Sequence, residues 1–236
     1  YGVEIIRGCE LGVQGQYGEI HLLGLWLPRH SAPLDAELAR LRGHREERNL
    51  KILDRLRSIG INIGYQEVLD EAGGESVGRP HIARVLQKRG IVSNFVQAFE
   101  LYLGYYGAAY VPRTLLTPEE GVSLMADLGA VVSFAHPMLI RCPPSWFDEI
   151  IPRLKEAGLG AIEAYHSEHS ARDERFCVEL AARYGLGLSG GSDYHGMAKP
   201  GVELGRGKGG LRVTVALLDA LKARRKRPVD DAPEVL

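Results

Sequence analysis

Cysteine is scarce in this sequence: Cys9, Cys142 and Cys177 are the only three in 236 residues, and no two form a CxxC pair. That excludes a disulfide framework and a thiolate zinc knuckle, and it points to a reducing, cytoplasmic compartment. No apolar run approaches the roughly 18 residues of a membrane span. Nothing has the layout of a signal peptide. Net charge is almost absent too: 29 basic against 30 acidic residues give -1. No global field therefore draws the chain to long nucleic acid or to anionic membranes. The one basic run, Lys222 to Arg227, reads as the dipole-favoured C-terminus of a helix. The sequence also shows no internal repeat and no low-complexity segment.

What remains is an ordinary globular composition, 45% hydrophobic and 25% charged, long enough for one barrel-sized domain or a domain with an insertion. The first 27 residues read as strands: Val3–Ile6, Cys9–Val13 and Glu19–Leu25. From Pro33 to Gly104 the spacing is helical, with Leu34, Leu38 and Leu41, then Ile52, Leu53, Leu56 and Ile59, on single faces. Pro80 opens a further helix, and Asn94 to Leu103 predicts a short one. Beyond residue 116 strands alternate with helices. Thr117 opens a capping box with Glu120, Ser145 and Ser170 are expected to cap the next two helices, and Val213–Arg224 is the last helix. Ala130–Ala135, Gly160–Tyr165 and Leu186–Ser189 are the intervening strands. Alternation of this kind predicts βα units in a parallel sheet or barrel. The expected organisation is a discontinuous core of residues 1–27 and 116–236, interrupted by a helical insertion over 28–115.

Polar residues of metal-binding type gather at the strand ends. Asp193 and His195 follow the strand Leu186–Ser189 two residues apart, so extended backbone points them to one face. His136 follows the strand Ala130–Ala135. Were Gly15-Gln16 a two-residue hairpin turn, Glu10 would sit directly opposite His21. Each signal has a bland alternative: a polar loop, a surface histidine, an exposed cross-strand ion pair. Together, two carboxylates and three imidazoles would crowd one place at high cost unless cations neutralised them. Metal ions on mixed nitrogen and oxygen ligands generate hydroxide near neutral pH and stabilise charge on a transferring phosphoryl group. Phosphate-ester hydrolysis is the chemistry this predicts.

The motifs Gly8-Cys9-Glu10, His21-Leu-Leu-Gly24, Gly78-Arg79-Pro80-His81, Ala135-His136-Pro137 and Gly191-Ser-Asp193-Tyr-His195 occur in that order. The set resembles the polymerase and histidinol phosphatase (PHP) superfamily, most closely its nucleotide phosphoesterases and RNA-trimming exonucleases. The resemblance implies an α/β fold, a distorted (β/α)7 barrel with a helical insertion, holding two to three divalent ions of Mn, Zn or Fe. It implies that Glu10 bridges two metals, that His21 and His136 complete one site, and that Asp193 serves the other and His195 a third. Arg79 and His81, for which helix capping is the alternative, are similar to residues that position substrate phosphate. His169 is either a substrate contact or a helix-start residue. The implied substrate is a small nucleotide or a short RNA or DNA end, attacked by metal-activated hydroxide. The family's opening motif, a strand ending in His-x-His, has no counterpart before Tyr1, so the barrel is expected to be N-terminally incomplete. A histidinol-phosphate-type phosphatase and a non-catalytic scaffold remain the alternatives. Trp26, Trp146 and the other aromatics are expected in the core.

Overall fold

A computed structural model describes residues 3–74, 76–196, 199–225 and 234–235. The chain divides into two compact units, one built from residues up to 34 and from 115 onward, the other from 35–114. No helix among the described residues is long and apolar enough to cross a membrane. Lys226 and Arg227 of the basic run lie outside the described residues.

The first unit is the α/β part. Its strands are β1 (Glu4–Ile5), β2 (Gly8–Gly15), β3 (Gly18–Leu25), β4 (Val131–Phe134), β5 (Leu159–His166), β6 (Gly187–Gly191) and β7 (Glu234–Val235). β1 pairs with β7, and the other five form one sheet in the order β2-β3-β4-β5-β6. Its character is mixed. The hairpin β2-β3 and the pair β3-β4 are antiparallel, while β4, β5 and β6 run parallel. The parallel strands are joined by the crossover helices α6 (Ser145–Ala157) and α7 (Ala171–Tyr184), as parallel pairing requires. Ser170 caps α7 as the sequence predicts. Ser145 does not cap α6; it is that helix's first residue, after Pro144.

The hairpin departs from its expected register in an instructive way. Its turn is Gln16-Tyr17 rather than Gly15-Gln16, so Gly12 faces His21 and Glu10 faces Leu23. The turn moved by one residue, which moves the pairing by two, and an even slip leaves every side chain on its face. Glu10 and His21 therefore stay on one side as diagonal neighbours, while Leu11, Val13, Ile20 and Leu22 are buried on the other. That buried face packs on α5 (Pro118–Ala126), which the Thr117–Glu120 capping box opens. Gly121 allows the close approach, since a Cβ there would stand 2.6 Å from Val13 Cγ1.

The second unit is helical. The long helix α1 (Ala32–Ser58) leads into it, followed by α2 (Tyr65–Ala72), α3 (Arg79–Lys88) and α4 (Phe95–Ala98), which continues as a π-helical turn over Phe99–Leu103. Ile52, Leu53, Leu56, Val68, Ile82, Val85 and Leu86 form its core. Ile59 does not join them. It lies just past the end of α1 and is exposed. Trp26 and Trp146 are buried as expected, but Tyr105 and Tyr106 are 71% and 95% exposed. Both sit in the tight turns after Gly104, which carry them away from the helical stripe.

Candidate metal centre

The central sheet of the first unit brings five of the expected residues together. Glu10 lies on β2 and His21 on β3; His136 follows β4, and Asp193 and His195 follow β6. His21 Nδ1 is 2.6 Å from Glu10 Oε1, and His136 Nε2 is 3.3 Å from the same oxygen. His195 Nδ1 is 3.2 Å from Asp193 Oδ1. Ligand atoms of Glu10, His21 and His136 all lie within 4.8 Å of one another, and so do those of Glu10, Asp193 and His195. Glu10 is common to both groups, while His195 falls with Asp193 around it rather than apart.

Charge in the cluster is balanced by cations on the carboxylates. Hydrogen bonds from His136 and then His21 hold the Glu10 carboxyl far below its ordinary range. The same contact, with help from Glu19, raises His21 to about 9. Burial works against ionisation of Asp193, but a hydrogen bond and the charge of Lys199, whose Nζ stands 2.5 Å from Oδ2, keep it below the usual value. A protonated imidazole and an ammonium thus stand in for positive charge at each group. Nitrogen and oxygen donors around one shared carboxylate are what divalent ions of the Mn, Fe or Zn kind accept. The residues fit the metal ions that the family resemblance implies.

Two further residues of the cluster went unread in the sequence. Glu163 of β5 is buried, and His136 N–H donates to its Oε2 at 2.7 Å. Burial pushes its carboxyl up to about 7. A lone acid within the apolar stretch Ala161 to Ala164 was a legible signal. His166, at the end of β5, is also buried, and its Nε2 lies 3.4 Å from Asp193 Oδ2. Burial, then the neighbouring His169 and His136, lower it to about 4. His169 lies half-buried beside it, its ring Nδ1–H donating to Ala164 O at 2.9 Å. A cleft of about 350 Å³ opens beside His21 and His136, with Tyr17 and Arg141 also in its walls.

Arg79 and His81 belong to the helical unit. They line a pocket of about 240 Å³ together with Arg45, Arg48 and Arg113, three arginines that the sequence reading did not select. His81 does cap: Gly78 N–H donates to its Nδ1 at 3.1 Å. Arg79 donates to Leu103 O at 2.9 Å and lies over the Phe99 ring.

No protein-family model matches the sequence. A 5'-3' exoribonuclease of Haemophilus influenzae is 29% identical over 194 residues, covering 82% of this chain and 70% of the relative. A 3',5'-nucleoside bisphosphate phosphatase of Chromobacterium violaceum is 26% identical over 97% of this chain and 81% of its own length. Among solved structures, one described as a metal-dependent phosphoesterase of Bifidobacterium adolescentis superposes with a TM-score of 0.75 at 25% identity, over 94% of this chain and 77% of that one. Fold, motif order and relatives agree. The chain is a metal-dependent phosphoesterase. In this phosphoesterase each ordered motif of the α/β unit contributes a residue to the cluster on the central sheet.

Proposed function

We propose that this phosphoesterase hydrolyses phosphate esters of nucleotides or of short oligonucleotide ends, using two to three divalent ions of Mn, Zn or Fe. The observation that carries the reading is the single carboxylate, Glu10, shared by two ligand groups. His21 and His136 would hold one ion with it, Asp193 and His195 the other. When bound, such ions polarise phosphoryl oxygens and acidify a water near neutral pH.

The side chains supply the rest. Arg79 and His81, at the start of α3, would contact the substrate phosphate, the guanidinium as a charged donor. His169, with Nδ1 committed to Ala164, keeps Nε2 for the substrate. The named substrates of the relatives, RNA for one and nucleoside bisphosphates for another, share a nucleotide phosphate ester. The near-zero net charge favours short substrates over long ones, which need many phosphate contacts.

The test is phosphate release by the Mn-loaded protein from adenosine 3',5'-bisphosphate and from histidinol phosphate, and mononucleotide release from a 5'-phosphorylated dinucleotide. Turnover of either nucleotide above histidinol phosphate is expected. Preference for histidinol phosphate would move the protein to that branch, and bound metal without turnover would make it a scaffold.

A further inference from the structure

β5 gives no residue to either ligand group, yet it touches both loops that do. His136 and Asp193 each adopt left-handed backbone, with φ of 26° and 52°. Side chains other than glycine rarely take such conformations, and they persist only where the surroundings enforce them. The enforcing contacts come from β5. Glu163 Oε2 accepts the His136 N–H at 2.7 Å, a charge-assisted bond made by a carboxylate that is 4% exposed. The neighbouring strand leaves space for it, since a Cβ on Gly191 would stand 3.3 Å from Glu163 Oε1.

Three residues on, His166 meets the other loop. Its Nδ1 accepts the Glu168 N–H at 3.2 Å, so the neutral ring carries its proton on Nε2. That Nε2 stands 3.4 Å from Asp193 Oδ2, turned toward the carboxylate without a formed hydrogen bond. Its ring is held between those of His136 and His169, at centroid distances of 5.3 and 5.1 Å. In a regular strand residues three apart point to opposite faces. The register of β5 against β6 shifts between Glu163 and Tyr165. Such an irregularity resets the alternation, so Glu163 and His166 both reach His136.

We infer that β5 is the positioning strand of the metal centre, with Glu163 fixing His136 and His166 fixing Asp193. The inference rests on the reading of the cluster as a metal centre. Outer partners of this kind set ligand orientation, and their loss weakens metal binding by about 10- to 100-fold.

The experiment pairs metal affinity with metal-free crystal structures of three variants. Glu163→Met fills the same space without an acceptor, Glu163→Gln keeps an oxygen for the His136 amide, and His166→Phe keeps the ring without the donor. By competition with a chelating dye, E163M and H166F should each bind Mn about 10- to 100-fold more weakly, with E163Q near the parent. In the metal-free structures His136 should leave the left-handed region in E163M, and Asp193 should turn in H166F. Parent-like affinity and an unmoved His136 in E163M would overturn the role of Glu163, as would E163Q failing as badly as E163M. If E163M does not fold, H166F with an unmoved Asp193 and parent affinity overturns the proposal. A parent that binds no metal sinks the metal-centre reading instead, and the metal-free structures still decide the positioning.

Discussion

The two units gather polar groups of different kinds, and they do so by different means. In the α/β unit carboxylates and imidazoles sit on β2 and β3 and just beyond β4 and β6, where a period of two and the turns aim them at one place. In the helical unit Arg45, Arg48, Arg79 and Arg113 come from α1, the start of α3 and a later loop, and line one pocket with His81. Short ligands on rigid strands suit a cation, which demands fixed distances. Long guanidinium side chains suit a phosphate, which accepts planar paired donors over a wider reach. The proposed function assigns a cation to the first and a phosphate to the second.

The sharpest way to break this division is Glu10→Gln. Because Glu10 belongs to both ligand groups, its loss should remove metal from both and cut hydrolysis by about 10³-fold, or ~4 kcal/mol of barrier. Elemental analysis and phosphate release check it, and loss of only one metal equivalent would refute the sharing. The complementary change is Arg79→Ala. Metal content should stay at the parent level while kcat/KM falls about 10- to 100-fold, the worth of a hydrogen bond to a charged group. Arg79→Lys should recover only part of this, because an ammonium cannot present the planar fork. Metal loss in R79A would mean that the two charge clusters are not separate in function.

The same contrast explains what could be read from the sequence. The strand-end ligands were legible because period-two alternation survives an error in detail. The hairpin turn was placed one residue early, yet Glu10 and His21 kept a common face. Asp193 and His195 were legible as a pair following a strand. Glu163 stood out as a lone acid in an apolar strand, but its partner and that of His166 were not legible, because those partners come from loops after other strands and only the folded sheet brings them close. Arg45, Arg48 and Arg113 were hidden for a related reason: no spacing along the chain marks residues that helix packing assembles. Ile59 shows the limit of helical periodicity, which gave no sign that α1 stops at Ser58.

The smallest effect sharpens the comparison within the α/β unit, between the two buried groups of β5. The Glu163 carboxyl titrates near 7 in the folded chain against an ordinary 4.5. An acid with a raised folded value stabilises the fold fully below 4.5 and loses that contribution as pH climbs through about 7. His166 is the reverse, lowered from 6.5 to about 4. Its contribution is full above 6.5 and is lost as pH falls through about 4. Between pH 4.5 and 6.5 the two slopes oppose, each at most about 1.4 kcal/mol per pH unit. In chelator-treated protein, Glu163→Gln should therefore leave stability rising more steeply with pH across this window than in the parent. His166→Phe should leave it falling from 4.5 to 7. Urea melts of both variants, taken as differences from the parent at each pH, should give curves of opposite slope. Two curves of the same sign would mean that the burial of one of these groups is relieved in solution.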